Sequence, residues 1–319
     1  MNRLSNEDRQ RVVACLVEGN SIRSTVRITG IAKKTVQRLG VELGEACKRF
    51  ADRVMRDLPC RRIQCDEIWS FCRVKDKNAT PEGKLKGEGD VWTWVAIDPE
   101  TKLIPVWHVA DRTAVSAYKF MRNLSGRLAH RVQLTTDGHR AYLVAVEAAF
   151  AFKPIDFAQV IKIYGNNDGA GRYSPAGFVG ETITVVSGNP DRELISTSHA
   201  ERQNLTMRMQ MRRFTRLTNG FSKKIENHRL ACAVHFIHCA ASLHASRHSG
   251  DGRWTDRSRL ESRGDRKTFG SAGGVASCCV SRSASRTTEN ASAFESDGIF
   301  FRTTKSYSQF FRYESSFSK

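Results

Sequence analysis

The sequence predicts a mixed α/β protein, in which a mixed sheet with flanking helices follows an all-helical segment and precedes a poorly ordered tail. Three observations predict this order. Apolar residues recur with helical spacing over residues 1–48. Segments rich in Val, Ile, Trp and Phe, separated by turns and helical stretches, occupy 61–239. From residue 240 on, the chain holds 17 Ser but only five Leu, Ile or Val residues, too few for a periodic core face.

The composition favours nucleic acid as the partner. The 319 residues include 51 Lys+Arg and 33 Asp+Glu, for a formal net charge of +18, and cationic side chains release counterions when they bind phosphates. No stretch approaches the roughly 18 apolar residues of a membrane span, and the polar N-terminus lacks the apolar core of a secretory signal. Nine cysteines without a paired framework suit a reducing compartment. We therefore expect a cytoplasmic protein that binds no membrane.

The N-terminal segment predicts three short helices. Ser5 and Ser21 precede helical apolar patterns as N-caps, and the Thr29-Gly30 pair predicts a tight turn before a third helix at about Lys33–Leu43. The polar face of this third helix carries hydrogen-bond donors and cations, namely Lys33, Lys34, Thr35, Gln37 and Arg38. This pattern is typical of a DNA-binding helix-turn-helix. A small three-helix bundle with solvated lysines is the alternative.

The middle of the chain predicts an antiparallel meander of three strands, followed by alternating helices and strands. This segment then continues with a Gly- and Asn-rich insertion at about 165–197, which contains one strand, and ends with two further helices. The predicted elements are strands Arg62–Arg73, Val91–Asp98, Leu103–Val109, Val132–Thr136, Ile155–Tyr164 and Glu181–Val186, and helices Ala114–Ala129, Leu143–Phe150, Ser198 to about Phe214, and Lys223–His238.

Three carboxylates occupy positions where the predicted elements could bring them together. Asp66 lies within the first strand, Asp137 follows the fourth, and Glu201 lies in the first turn of a long helix. If the first and fourth strands are adjacent and parallel, the two aspartates meet, and a helix packed on the sheet places Glu201 over both. Three oxygen ligands without a Cys or His cluster suit Mg²⁺ or Mn²⁺. Two such ions would support phosphodiester chemistry.

The alternative is that these are ordinary acids, since Asp137 could cap a turn and the helix dipole favours any acid at the position of Glu201. Asp66 argues against this, because an acid inside an apolar strand is costly unless it is paired or metal-bound. Its neighbour Glu67 is expected on the opposite face of the sheet.

Basic residues follow Glu201 at helical spacing. Leu205, Arg208 and Arg212 are predicted to share a helix face with Glu201, which would put phosphate-binding arginines, including the adjacent Arg213, beside the acids. A solvated helix face is the alternative.

Several blocks resemble the DDE transposases of the bacterial insertion-sequence-one family. They are QCDEIWSF (64–71), DVWTWVAID (90–98), VQLTTDGH (132–139) and STSHAERQNLTMRMQMRRFTRLTN (196–219), together with CLVEGNSIRST (15–25) in the helix-turn-helix. The resemblance covers about residues 1–238. It implies an RNase H-like catalytic domain over 61–239, a helix-turn-helix domain over 1–48 and a linker over 49–60.

The resemblance also implies a site and an activity. The family's catalytic, metal-binding acids fall on Asp66, Asp137 and Glu201, its basic residue seven positions later falls on Arg208, and His199 stands where an aromatic is expected. The implied chemistry is metal-dependent cleavage at the terminal inverted repeats of a mobile element, then strand transfer into target DNA. A homo-oligomer on double-stranded DNA and two divalent ions, Mg²⁺ or Mn²⁺, are expected, with the protein associated with the bacterial nucleoid through its DNA.

The resemblance stops near residue 239. Codons permitted for residues 242–255, read from their second base, spell HSTLRVTPAMAAG, close to the family's continuation HKTLRVTPAMAAG. We therefore interpret 240–319 as an out-of-frame, disordered tail after a frameshift near codons 237–241. A catalytically impaired DNA-binding repressor is consequently an alternative function, and a nuclease of structured nucleic acid is a third.

Overall fold

The structure is a computed structural model that describes residues 4–165, 177–215 and 218–248. Its first three helices are α1 (Asn6–Val17), α2 (Ile22–Thr29) and α3 (Lys33–Val54). Both predicted N-caps form: Ser5 Oγ accepts a hydrogen bond from the backbone N of Asp8 at 3.1 Å, and Ser21 Oγ accepts one from the backbone N of Ser24 at 3.0 Å. Gly30 ends α2 with φ +73°, a conformation that favours glycine.

Helix α3 is longer than predicted and runs through the first part of the segment expected to be a linker. Its buried face continues beyond Leu43 with the small residues Ala46, Cys47 and Ala51, a weaker signal than the large apolar residues before it. The buried Arg127 guanidinium fixes the end of the helix, because its Nη1 donates to the carbonyls of Ala51 at 2.9 Å and Met55 at 3.1 Å.

A six-stranded mixed sheet forms the centre of the described chain, and its order is β3–β2–β1–β4–β5–β6. The strands are β1 (Arg62–Cys72), β2 (Gly89–Ile97), β3 (Val106–Ala110), β4 (Val132–Asp137), β5 (Ile155–Tyr164) and β6 (Phe178–Ser187). The predicted meander β1–β2–β3 is antiparallel. Strand β4 pairs parallel with both β1 and β5, and β6 is an antiparallel edge strand on β5. The predicted parallel neighbours β1 and β4 are therefore confirmed.

Helices cover both faces of this sheet. They are α5 (Ala114–Ser125), α6 (Ala141–Ala149), α7 (Ser198–Gln210) and α8 (Ile225–His248). A short helix, α4 (Pro81–Leu85), and a 3₁₀ turn at Asp76–Asn78 lie between β1 and β2 in the chain. On one face Trp94 packs against Phe120 of α5 and Tyr142 of α6. On the other, β1 and β2 share a core with Met207 of α7 and Phe236 of α8. The predicted fold class, a mixed sheet with flanking helices, is confirmed.

Helices α5, α7 and α8 also end at other residues than predicted, and α5 stops at Ser125 instead of Ala129. Helix α7 stops at Gln210, because Met211 is extended with φ −108° and ψ 108°, so Arg212 and Arg213 lie beyond the helix. Helix α8 continues to His248, so residues 240–248 of the segment predicted to be poorly ordered are helical. The remainder of the predicted tail, and residues 166–176 of the predicted insertion, lie outside the described residues.

Within the described ranges, none of the helices combines the length and the apolar character that a bilayer crossing requires.

Candidate active site

The sheet register brings Asp66 and Asp137 side by side. Cys65 of β1 pairs with Thr136 of β4 in the parallel ladder, so the next residue on each strand is one of the two aspartates. Asp137 is the last residue of β4 and not the first residue after it, as the sequence suggested. The two predicted aspartates therefore meet at the edge where β4 ends, and both are partly buried.

A third carboxylate, Glu67, belongs to the same cluster. One oxygen each of Asp66, Glu67 and Asp137 lies within 4.8 Å of the others. Glu67 points to the opposite face from Asp66, as expected, since it lies beside Tyr142 of α6 whereas Asp66 contacts Asn204 of α7. Its longer side chain nevertheless returns to the cluster, and this side chain is only 1% exposed.

Burial and mutual repulsion make these carboxylates hard to ionise together. Burial raises the pKa of Asp66 to about 7, and the charges of Asp137 and Glu201 add to the rise. Burial also raises the pKa of Glu67 to about 8, with Asp137 as the second cause. The pKa of Asp137 is raised by burial, although the backbone N–H of His139 and the Arg112 guanidinium oppose the rise.

Glu201 lies next to this cluster and outside its closest group. Its charge raises the pKa of both Asp66 and Asp137, so the helix does carry it toward them as predicted. Its Oε1, however, accepts hydrogen bonds from Lys162 Nζ of β5 at 2.5 Å and from Thr197 Oγ1 at 2.7 Å. Glu201 is therefore held in an ion pair at the rim of the cluster.

Two amide side chains fix helix α7 against strand β1. Gln64 Oε1 accepts from the backbone N of His199 at 2.8 Å and of Ala200 at 3.4 Å, and thus caps a helix whose N-cap residue Thr197 makes no capping bond. Asn204 Nδ2 donates to Asp66 Oδ2 at 2.8 Å. The strand that carries Asp66 consequently sets the position of the helix that carries Glu201.

Arg112 supplies positive charge to the cluster. Its Nε lies 3.1 Å and its Nη2 3.0 Å from Glu67 Oε2, and Nη2 is also 3.6 Å from Asp137 Oδ2. The guanidinium lies over the ring of Trp92, 4.6 Å from its centroid. One arginine thus spans two of the three clustered acids.

The donor set fits a hard divalent cation. Oxygen ligands are those that Mg²⁺ and Mn²⁺ prefer, and a cation would lower the raised pKa values by relieving the repulsion between carboxylates. Glu67 Oε1 and Asn204 Oδ1 are buried and have no hydrogen-bond partner among the described residues. The cluster therefore retains unused oxygen acceptors, and Asp66, Asp137 and Glu201, with Glu67, are the residues that could hold metal.

His199 stands at the start of α7 and faces away from the clustered acids. Its Nδ1 lies 3.0 Å from Lys102 Nζ. Burial lowers its pKa, and the charges of Lys102 and Arg62 lower it further. A neutral imidazole accepting from Lys102 is the arrangement these contacts favour.

The predicted DNA-binding residues at the start of α3 share an open face. Lys33, Lys34, Gln37 and Arg38 are exposed and Thr35 is half-buried, whereas Val36, Leu39 and Leu43 on the other side are buried. Arg38 Nε is 3.6 Å from Glu42 Oε1. The face is therefore available to a ligand, as a recognition helix requires.

The three predicted arginines near Glu201 separate in the structure. Arg208 is half-buried on α7, and Arg212 is exposed beyond the end of the helix, so the predicted shared face ends before Arg212. Arg213 turns inward, where its Nη1 donates to Ser222 Oγ at 2.9 Å and burial lowers its pKa. Its placement is that of a structural residue and not of a phosphate ligand.

Sequence reasoning did not identify five residues of the site: Gln64, Glu67, Arg112, Lys162 and Asn204. Spacing could have found two of them, because Gln64 lies two residues before Asp66 on a strand and Asn204 three residues after Glu201 on a helix. Arg112 and Lys162 come from separate elements and carry no local signal.

No protein-family model matches this chain, and no curated protein matches it. The solved structures to which this chain is similar include two transposase complexes. One is the cryo-EM structure of a piggyBac transposase synaptic complex with hairpin DNA, with a TM-score of 0.34, 10% identity and coverage of 85% of this chain and 79% of that chain. The other is the crystal structure of a pre-cleavage Mos1 transpososome, with a TM-score of 0.26, 10% identity and coverage of 76% and 80%. Similarity this low carries no argument about function, and the resemblance to the insertion-sequence-one family stays a prediction.

Proposed function

We propose that this protein is a DDE-type DNA transposase that binds the ends of a mobile element through α1–α3 and cleaves and joins DNA strands at the acidic cluster. The observation that carries the proposal is the meeting of Asp66 and Asp137 on adjacent parallel strands, with Glu201 on a helix fixed to the same strand. Burial and mutual repulsion make this cluster of carboxylates unfavourable for folding, and clusters of this kind are typical of functional sites.

Each acid has a role in this proposal. Asp66 and Asp137 would hold divalent metal, and Glu201, which is now paired with Lys162, would be the third acidic ligand. Mg²⁺ or Mn²⁺ bound there, as two ions, would supply Lewis acidity toward a phosphodiester and a nucleophilic oxygen. Asn204 orients Asp66 through a 2.8 Å hydrogen bond.

The DNA-binding part of the proposal rests on the open face of α3. Lys33 and Lys34 supply charge for phosphates, and Gln37 and Arg38 can reach base edges in a major groove. Transposition joins two element ends to a target, so we propose that the protein acts as a homo-oligomer on double-stranded DNA.

The test is incubation of the full chain with a duplex that carries the ends of its own element, with Mg²⁺ or with EDTA. Joined products that require Mg²⁺ support the proposal. Asp66→Asn, Asp137→Asn and Glu201→Gln are each expected to lower strand cleavage by at least about a hundredfold, as loss of a metal ligand does, while the band shift with DNA persists. Glu147→Gln, which removes one exposed charge from α6, is the matched control and should cleave normally.

Other results would contradict the proposal in distinct ways. Normal cleavage by any of the three variants refutes the site. Indiscriminate nicking would indicate a nuclease. A shifted but uncut fragment would indicate the DNA-binding repressor, a candidate that the ion pair between Glu201 and Lys162 favours, because it occupies the third acid.

A further inference from the structure

Arg112 is the cation that the cluster already contains, and its contacts are unequal. Two of its nitrogens lie 3.0 and 3.1 Å from Glu67 Oε2, whereas its contact with Asp137 Oδ2 is 3.6 Å. Its face rests on Trp92, and its side chain is 37% exposed. Arg112 can therefore release Asp137 and still keep Glu67 and the indole.

Glu67 is placed to retain Arg112. Its side chain is 1% exposed, and its second oxygen, Oε1, is buried without a hydrogen-bond partner among the residues that the structure describes. The ionised form of a carboxylate buried in this way is stabilised by a nearby positive charge. Arg112 provides that charge at Glu67 Oε2.

We propose that Arg112 is the resident counter-cation of the acidic cluster: it holds Asp137 in the metal-free protein, yields Asp137 to a divalent cation, and stays anchored by Glu67 and Trp92. Arg112 is thus a positioning residue that competes with metal for Asp137. The inference rests on the proposed function, because it takes Asp137 to be a metal ligand.

If Arg112 competes with metal, its removal should raise the affinity for Mn²⁺, whereas removal of a metal ligand should lower it. In Arg112→Gln, a positive charge beside the site is removed, so the affinity for Mn²⁺ rises by at least about threefold, since a cation a few ångströms away opposes the binding of another cation. Mn²⁺ binding to the full chain without DNA is measured by electron paramagnetic resonance. An unchanged or weaker affinity overturns the inference.

The control removes the same charge elsewhere. Arg131→Gln breaks a surface pair with Asp156 at the opposite end of β4, and its Mn²⁺ affinity should equal that of the parent chain. A rise of equal size in Arg131→Gln would mean that net charge alone acts, and it would also overturn the inference.

A second measurement keeps the test decisive if Arg112→Gln does not fold. In the ¹⁵N-labelled parent chain, the Arg112 Nε resonance, assigned by its loss in Arg112→Lys, should shift when Mg²⁺ is added. A resonance that does not move at saturating Mg²⁺ refutes the release of Asp137.

Asp137→Asn distinguishes a failure of the proposed metal site from a failure of the role assigned to Arg112. If Asp137→Asn leaves Mn²⁺ binding intact, the proposed metal site is wrong. If it abolishes binding while Arg112→Gln fails to strengthen it, the site stands and only the role of Arg112 is wrong.

Discussion

Asp66 shows how a fold can hold a side chain in an unfavourable environment. The side chain lies within a sheet strand, with Asp137 and Glu201 near enough for their charges to raise its pKa. Two hydrogen bonds, from the backbone N of Glu67 and from Asn204, favour the charged form but do not offset burial, because the pKa remains at about 7. The metal-free protein is consequently less stable when this carboxyl is ionised.

The stability of the metal-free protein should therefore show a specific pH dependence. The folded pKa of Asp66 lies above its value in an unfolded chain, about 4, so the folded state binds more protons between about pH 4 and 7. As pH rises through this window, the parent chain should lose stability relative to Asp66→Asn. Urea unfolding of both proteins in EDTA, at several pH values, measures the difference.

The comparison with Asp66→Asn is needed because buried histidines act in the opposite direction. Burial lowers the pKa of His228 to about 3 and of His235 to about 4, so both cost stability as pH falls below about 6.5. These contributions are common to both proteins and cancel in the difference. A difference that is constant from pH 4 to 7 would contradict the raised pKa of Asp66.

The geometry of the site depends on how helix α7 is attached to strand β1. The N-cap residue of α7, Thr197, makes no side-chain capping bond, and the buried Gln64 of β1 accepts hydrogen bonds from the backbone N–H groups of His199 and Ala200. Gln64 and Asp66 lie two residues apart on one strand face. The same strand thus holds one acid directly and sets the place of Glu201 through a helix cap.

Gln64→Ala should lower the free energy of unfolding by about 1–2 kcal/mol, because it removes a helix cap and leaves buried N–H groups unsatisfied. It should also lower strand cleavage by at least about tenfold, since a small displacement of a positioned group is costly in catalysis. Chemical denaturation and the cleavage assay measure the two effects. The control is Gln133→Ala, which also removes hydrogen bonds between a glutamine side chain and a backbone, here that of Asp191, but at an exposed position. This variant should leave cleavage unchanged. Equal losses of cleavage in both variants would contradict the positioning role.

Elements with a strong local signal could be predicted from the sequence, and those set by tertiary contacts could not. Strand β5 has the predicted bounds, and α1 and α2 begin after their predicted caps. The sequence pattern underestimates the length of α3, because the last turns of this helix are buried through small residues and contact Arg127. The sequence pattern overestimates the length of α7, because no glycine or proline marks the end of this helix at Gln210.

For the whole molecule, the same distinction applies to the site. Asp66, Asp137 and Glu201 were proposed from strand order and from the resemblance, and the observed parallel pairing of β1 with β4 accounts for the meeting of the aspartates. Lys162 and Arg112 could not be predicted, because a strand and a loop distant in sequence bring them to the acids. The pairing of these cations with the acids arises only when the sheet assembles, so no local sequence pattern predicts it.

Net charge is also a property of the whole molecule, but only part of it should act on DNA. The formal charge is +18, yet many arginines and lysines are already paired, such as Arg131 with Asp156 and Lys162 with Glu201. Lys33 and Lys34 differ, because they are exposed on the open face of α3. We therefore expect these two to carry a measurable share of phosphate binding.

The salt dependence of DNA affinity tests that expectation. In the double variant Lys33→Gln/Lys34→Gln, the slope of log affinity against log salt should become less steep by about 0.9 for each phosphate that the protein no longer neutralises. Fluorescence anisotropy with a labelled duplex over a salt series measures the slope. The control is Lys84→Gln. Lys84 lies on α4 and not on α3, and its ammonium is paired with Asp76, so this variant should keep the parent slope. If the double variant also keeps it, α3 does not bind the DNA backbone and another surface must account for the binding.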